Sequence, residues 1–115
     1  MAEISSDVIR GYNDTIILFL IKDEPSYGYE IQKQIRGLSQ EKYIIKETTL
    51  YSAFSRLEKA GFVESFLDDS SGKKRTYYRI TPEGLAYYYG KCEEWELTKE
   101  VVEHFIMKEA KNGSN

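Results

Sequence analysis

The chain has 115 residues, of which 41% are hydrophobic and 30% charged, and a net charge of −3. This length allows one domain, or one domain with an arm, and the hydrophobic content excludes a disordered chain. The longest apolar run covers residues 16–21, far fewer than the roughly 20 residues of a membrane-spanning helix, so we expect no membrane partner.

A first helix is predicted from about Ser6 to Lys22. Its apolar residues recur at steps of three and four, which places them on one face. They are Val8, Ile9, Tyr12, Ile16, Phe19 and Leu20. Pro25 ends the segment, because the residue before a proline avoids the helical region.

A second helix is predicted at 26–36, with Ser26 as the N-cap. Tyr27, Ile31, Ile35 and Leu38 would form its inner stripe. The following stretch, residues 39–46, is too long for the tight turn of the simplest helix-turn-helix. Within it, residues 43–45 have the composition of a short strand.

A third helix is predicted at 48–60, capped by Thr48 or Glu47, with Leu50, Phe54 and Leu57 turned inward. A hairpin follows. Its strands, 62–67 and 76–80, are rich in aromatic and β-branched residues. A polar tip with the basic run Lys73, Lys74 and Arg75 joins them.

The last helix is predicted from Thr81 to about Glu109. Thr81 supplies a cap and Pro82 suits the first helical position. Apolar residues then follow a heptad spacing that breaks at Lys99. At roughly 40 Å, this helix is too long for a domain of about 80 residues to cover. We therefore predict a dimerisation helix with a frayed tail at 81–115, whose contacts are Leu85, Tyr88, Cys92, Trp95, Val102, Phe105 and Ile106.

Together these elements predict a mainly α fold with a small β-hairpin (α+β). Residues 1–80 would form a winged helix-turn-helix DNA-binding domain, with the first helix also in the dimer interface. The charge distribution agrees, because the net charge is +3 over residues 26–80 and −3 on each flanking segment. The positive charge thus lies where phosphate would be met.

Catalysis has little support in this sequence. His104 and Cys92 are the only histidine and cysteine, so neither a clustered metal site nor a paired nucleophile and base is indicated. No glycine-rich phosphate loop is present. We expect no enzyme activity, no metal and no cofactor. The single cysteine and the lack of a signal-peptide pattern favour the cytoplasm.

The outer face of the third helix suits the major groove, because its side chains are short and able to form hydrogen bonds. The basic wing suits the DNA backbone. A solvated helix face and an ordinary charged turn explain the same residues equally simply. The predicted DNA contacts are Tyr29, Thr48, Thr49, Tyr51, Ser52, Ser55, Arg56, Lys59, Lys73, Lys74 and Arg75.

Three ordered motifs carry a family resemblance: residues 26–31 (Ser-Tyr-Gly-Tyr-Glu-Ile), residues 48–61 and residues 72–84. With them, nearly the whole chain resembles the PadR family of bacterial transcriptional regulators. The single C-terminal helix resembles the short-armed branch, which includes regulators of multidrug efflux pumps.

The resemblance implies a dimeric winged-helix repressor on a palindromic operator in double-stranded DNA. The last helix would pack on the first helix of the partner protomer. Among the residues above, it implies that Tyr29, Thr49, Tyr51, Arg56 and Lys73 meet DNA.

The resemblance also places Trp95 where multidrug-binding members hold planar aromatic compounds in a central pore. The effector site we expect comprises Trp95, Tyr12 and Lys99. From spacing alone, Trp95 is explained more simply as interface packing. Two alternatives stay open: a repressor without a small-molecule site, and a winged-helix module that binds protein instead of DNA.

Overall fold

The computed structural model describes residues 3–107. Within that range, five α-helices and three strands form the fold. They are α1 (Ser6–Ile9), α2 (Asn13–Ile21), β1 (Ser26–Tyr27), α3 (Gly28–Leu38), α4 (Glu47–Lys59), β2 (Val63–Asp68), β3 (Arg75–Ile80) and α5 (Pro82–Glu103). The predicted fold class, mainly helical with a small antiparallel hairpin, is confirmed.

The core lies where α2, α3 and α4 pack together and against one face of the sheet. Its centre is formed by side chains that are almost inaccessible to water: Ile17, Leu18, Ile21, Ile31, Ile35, Ile45, Leu50, Ala53, Phe54, Leu57, Val63 and Tyr78. The inward stripe predicted for the third helix is therefore confirmed. Burial of these apolar side chains supplies the main stabilisation of the fold.

The prediction of one continuous first helix is wrong. The short α1 is capped by Ser5, and a 3-10 turn, Arg10–Tyr12, separates it from α2. The new helix begins at Asn13, whose buried side chain accepts a hydrogen bond from the Tyr43 hydroxyl at 2.6 Å. The predicted apolar face is divided as a result: Val8 and Phe19 are exposed, whereas Ile17 and Leu18 enter the core.

The second predicted helix starts two residues late, because Ser26 and Tyr27 form a strand. They pair with β3 opposite Tyr78 and Tyr77, so the sheet has the order β1-β3-β2. Ser26 therefore is not an N-cap. The strand considered for residues 43–45 does not form, and Leu38 is exposed instead of lying on the inner stripe.

The third helix and the hairpin match their predictions closely. Helix α4 begins at Glu47, so Thr48 lies inside the helix and does not cap it. Gly61, with φ +83°, follows the end of the helix as predicted. Strands β2 and β3 pair in the register Val63 opposite Ile80 through Asp68 opposite Arg75.

Helix α5 starts as predicted and ends earlier than predicted. The Thr81 side chain accepts from the Gly84 amide at 3.0 Å and donates to the Gly61 carbonyl at 2.7 Å, which ties α5 to the end of α4. The helix ends at Glu103, so its length is about 33 Å. Phe105 and Ile106 therefore follow the helix instead of extending it. The predicted end at Glu109 and the frayed tail lie outside the described residues.

The described part of the molecule is elongated, with extents of 57 × 29 × 22 Å. Helix α5 causes this shape, because its first half packs on α2 and its second half projects beyond the domain. Within residues 3–107, no helix combines the length and the apolar character that crossing a bilayer requires.

Candidate nucleic-acid interface

Helix α4 presents a polar face to solvent. Because Leu50, Phe54 and Leu57 anchor one side in the core, the residues between them turn outward. The predicted contacts Thr48, Ser52, Ser55 and Lys59 are exposed, Thr49 is partly covered, and Tyr51 is 44% exposed. This surface has hydrogen-bonding side chains of limited reach, as close approach to a DNA groove requires.

A cavity of about 520 Å³ opens beside α4, between the start of α3 and the wing. We call it the tyrosine notch. Its lining residues are Tyr27, Gly28, Tyr29, Tyr51, Lys73, Arg75, Thr76 and Tyr78. The structure thus brings together four predicted DNA contacts that the sequence scatters over 47 positions: Tyr29, Tyr51, Lys73 and Arg75.

The prediction had not included Tyr27, Gly28, Thr76 and Tyr78 in this site. Gly28 is the member that the notch depends on. A Cβ atom added there would collide with the Tyr51 hydroxyl and lie 2.9 Å from Tyr51 Cζ. A glycine between two tyrosines at the start of a helix was the available signal.

The notch also exposes backbone donors. The N-cap of α3, Tyr27, makes no side-chain capping bond, and neither does the N-cap of α4, Lys46. The first amide groups of a helix lack partners within the helix, and they attract anions through the helix dipole. Two helix N-termini of this kind, close to Lys73 and Arg75, suit a phosphate backbone.

The three wing cations differ in their surroundings. Lys73 lines the notch, and Lys74 is exposed outside it. The Arg75 guanidinium lies 4.4 Å from the centre of the Tyr27 ring, a cation–π contact. Arg75 is therefore held in place, while the two lysines extend into solvent.

A row of aromatic side chains supports the wing on the face of the sheet away from the core. Tyr77, in the central strand, has its ring centre 5.2 Å from that of Tyr27 and 5.7 Å from that of Phe66. Arg79 covers Phe66 at 4.3 Å. Cross-strand pairs of this kind stabilise a small sheet, so the wing keeps a defined position.

Arg56 is the predicted contact with the most distinctive environment. Its Nη2 lies 2.6 Å from Asp14 Oδ1, and its Nε lies 3.3 Å from Asp14 Oδ2. The hydrogen bond to Asp14 raises the pKa of Arg56. Unlike Lys59, this side chain is already engaged within the protein.

A second cleft, of about 280 Å³, lies where α5 passes the 3-10 turn. Tyr12 meets Trp95 edge-on there, with ring centres 5.4 Å apart. The lining residues are Gly11, Tyr12, Thr15, Lys91, Glu94, Trp95 and Thr98. Lys99 is not among them, and its ammonium group lies 3.3 Å from Glu96. The prediction had not included Lys91, Glu94 and Thr98.

The residues predicted for dimerisation fall into two groups. Leu85, Tyr88 and Cys92 are partly buried against the same chain, and the Tyr88 ring lies 6.4 Å from Phe19. The others are exposed: Trp95 (43%), Val102 (47%), Phe105 (82%) and Ile106 (57%). Leu97 and Val101, which the heptad pattern had not selected, are exposed as well.

A family model described as the transcriptional regulator PadR-like family matches residues 17–89. The matched segment runs from α2 into α5, so it contains α4, the tyrosine notch and the wing. The chain belongs to the PadR-like family. The family resemblance read from the three sequence motifs is thereby confirmed. PadR-like proteins are transcriptional regulators, which agrees with the expectation of a regulatory protein.

Solved structures agree with this assignment. A transcriptional regulator from Clostridium thermocellum is 62% identical, with a TM-score of 0.84, over 90% of this chain and 99% of its own. A PadR family transcription regulator from Clostridium difficile is 36% identical, with a TM-score of 0.73, over 83% of this chain and 98% of its own. A Lysinibacillus sphaericus protein of uncharacterized function is 45% identical over 90% of this chain and 95% of its own.

Among residues 3–107 of this PadR-like chain, no group of three histidine, cysteine or acidic side chains could hold a metal ion. The PadR-like surface is instead built from hydroxyl groups, cations and helix N-termini. These are groups that recognise phosphates and base edges.

Proposed function

We propose that the protein is a homodimeric, sequence-specific DNA-binding repressor. The observation that carries the proposal is the continuity of the polar face of α4 with the tyrosine notch and the wing. One surface then holds short side chains for base edges beside cations and amide groups for phosphates. Membership of the PadR-like family supports a regulator of this kind.

In this proposal the notch receives a backbone phosphate. Tyr29 and Tyr51 offer hydroxyl donors, and the first amides of α3 offer backbone donors. Lys73 and Arg75 supply positive charge. Such contacts fix the position of a protein on the duplex and make its affinity depend on salt, without reading sequence.

Base recognition then falls to the exposed face of α4. Thr49, Ser52 and Ser55 form hydrogen bonds with base edges, and Lys59 reaches a phosphate or a guanine. A single helix reads only a few base pairs. Two copies related by a twofold axis read a palindrome, in which each half-site meets one α4.

The exposed part of α5 supplies the dimer contact in this proposal. Trp95, Val102 and Phe105 present large apolar surfaces that a solitary chain leaves in water. Covering them stabilises association in proportion to the apolar area removed from solvent. The exposed Val8 and Phe19, near the start of the chain, are the matching surface for the partner's last helix.

Gly28→Ala is expected to weaken operator binding about tenfold while leaving the free energy of unfolding almost unchanged. The new methyl group displaces the Tyr51 hydroxyl, which is the far end of a flexible, 44% exposed side chain. One lost hydrogen bond per protomer accounts for a change of this size. Titration of labelled operator DNA, together with chemical denaturation, measures both quantities.

Gly37→Ala is the matched control, because it makes the same change in the same helix where the new methyl group meets nothing within 4 Å. It should leave operator affinity unchanged and stabilise α3 by about 0.5–1 kcal/mol. Equal operator affinity in the two variants would contradict the role given to the notch.

We also propose that a planar aromatic effector binds at the Trp95 cleft and relieves repression. Trp95 is 43% exposed, so its ring is available to a stacked guest, and Glu94 favours a cationic one. Such a compound releases DNA only if it prefers a dimer in which the two α4 helices no longer match the half-sites.

Flat cationic dyes are expected to quench the fluorescence of Trp95, the single tryptophan, in a saturable manner. Trp95→Ala should weaken dye binding about tenfold, as measured by calorimetry, because one aromatic contact is lost. Tyr89→Ala is the control, since this exposed ring of α5 lies outside the cleft. Absence of quenching across a dye panel would favour a regulator without a small-molecule site.

A further inference from the structure

The ion pair between Asp14 and Arg56 joins two helices that are distant in sequence. Asp14 belongs to α2 and Arg56 to α4, 42 residues later. Two parallel hydrogen bonds, at 2.6 and 3.3 Å, fix both the distance and the orientation of the guanidinium. The Asp14 side chain is only 20% exposed, so solvent competes weakly for it.

Helix α5 contributes to the same cluster. Lys91 donates to Glu94 at 2.7 Å, and this hydrogen bond, aided by the charge of Asp14, raises the pKa of Lys91. Tyr87 lies close enough to act on both Arg56 and Lys91. Asp14 thus sits where α2, α4 and α5 meet, with a cation facing it from each of the two other helices.

This cluster fixes the exposed side of α4. The core contacts of Phe54 and Leu57 hold the helix against the domain, but apolar packing alone tolerates small rotations. Arg56 lies between the exposed Ser55 and the buried Leu57, so its pairing sets the direction of the polar face. At the other end of α4, the close contact between Tyr51 and Gly28 has a similar effect.

We propose that Asp14 is a positioning residue for the recognition helix α4. It keeps Arg56 paired in the DNA complex as in the free protein, so Arg56 supports recognition without contacting DNA. This inference rests on the proposed function. It departs from the expectation, implied by the family resemblance, that Arg56 itself meets DNA.

Two arrangements predict opposite results for Asp14→Asn. If Arg56 serves α4 through Asp14, the variant loosens the helix and operator affinity falls. If Arg56 must leave Asp14 to reach DNA, the variant frees its guanidinium, removes a negative charge and raises affinity. The sign of the change therefore distinguishes a positioning role from direct contact.

The experiment measures operator affinity over a range of salt concentrations for the wild type, Asp14→Asn, Arg56→Gln and the double variant. We expect each single variant to bind roughly tenfold more weakly, and the double variant to be no weaker than the worse single, since both remove one pair. The slope of log affinity against log salt should not change in Arg56→Gln. A lost phosphate contact would reduce that slope by about 0.9.

Asp7→Asn is the matched control, because it removes the same charge from an exposed ion pair with Arg10 inside the N-terminal segment. It should leave affinity unchanged, and thermal unfolding should show all variants folded at the assay temperature. Arg56→Lys should restore part of the affinity lost in Arg56→Gln.

Unchanged or higher affinity in Asp14→Asn, or a reduced salt slope in Arg56→Gln, would overturn the inference. Failure of the wild type to hold any palindromic duplex would instead refute the proposed function. The wild-type measurement therefore separates the two failures.

Discussion

Replacing Val102 and Phe105 together by aspartate is expected to convert the protein from dimers to monomers and to lower operator affinity by roughly 10²–10⁴-fold. Both side chains are exposed, at 47% and 82%, so the fold of one chain does not depend on them. Charges at these positions would be buried without partners in the dimer. A palindrome loses its second half-site when the dimer is lost, which accounts for the large change in affinity.

Sedimentation equilibrium measures the first effect as a fall in molar mass from twice 13.4 kDa to 13.4 kDa. The control replaces both residues by leucine, which keeps an apolar surface and should preserve the dimer. A dimer that survives both aspartates would show that α5 associates through another surface, for which the exposed Leu97 and Val101 are the first candidates.

Phe54→Ala is expected to reduce the free energy of unfolding by about 3–5 kcal/mol. Phe54 is 1% exposed, and its ring is stacked on Tyr78 with centres 3.8 Å apart. It also meets the edge of Tyr51 at 5.4 Å, so the cavity would disturb the tyrosine notch as well as the core. A domain of this size has roughly 5–15 kcal/mol of stability in total, so the loss is severe.

Urea denaturation at one fixed protein concentration measures this loss, because dimerisation makes apparent stability depend on concentration. Phe66→Ala is the comparison. It removes the same ring from the outer face of the sheet, where Phe66 is only partly buried. A smaller loss for Phe54→Ala than for Phe66→Ala would contradict the placement of the core.

The parts of the fold that periodicity predicts are those in which one face is buried over several turns or strand positions. Leu50, Phe54 and Leu57 identify α4 because the opposite residues are polar. The hairpin is identified by its aromatic strands on either side of a polar tip. The start of α5 is identified by the local chemistry of Thr81 and Pro82, which needs no tertiary information.

The errors occur where tertiary contacts override local preference. Ser26 has the chemistry of a cap, yet β3 pairs with it and Tyr27 to complete a three-stranded sheet. Two residues are too few to show a strand period. Leu38 falls on the inner stripe by spacing, but α3 ends there and the side chain turns to solvent.

The candidate site was predicted residue by residue, but its assembly was not. Tyr29, Tyr51 and Lys73 were chosen separately, and only the fold shows that they line one notch around Gly28. The pairing of Arg56 with Asp14 had no local signal, because 42 residues separate them. Contacts of that range depend on how the helices pack.

Selection of bound fragments from genomic DNA, including the promoter of the protein's own gene, tests the central claim most directly. The selection is run at low and at moderate salt. We expect recovery of one palindromic site that remains bound at moderate salt, because base contacts by two α4 helices add to the salt-dependent phosphate contacts. Binding that is equal for all duplexes and disappears at moderate salt would contradict a sequence-specific regulator.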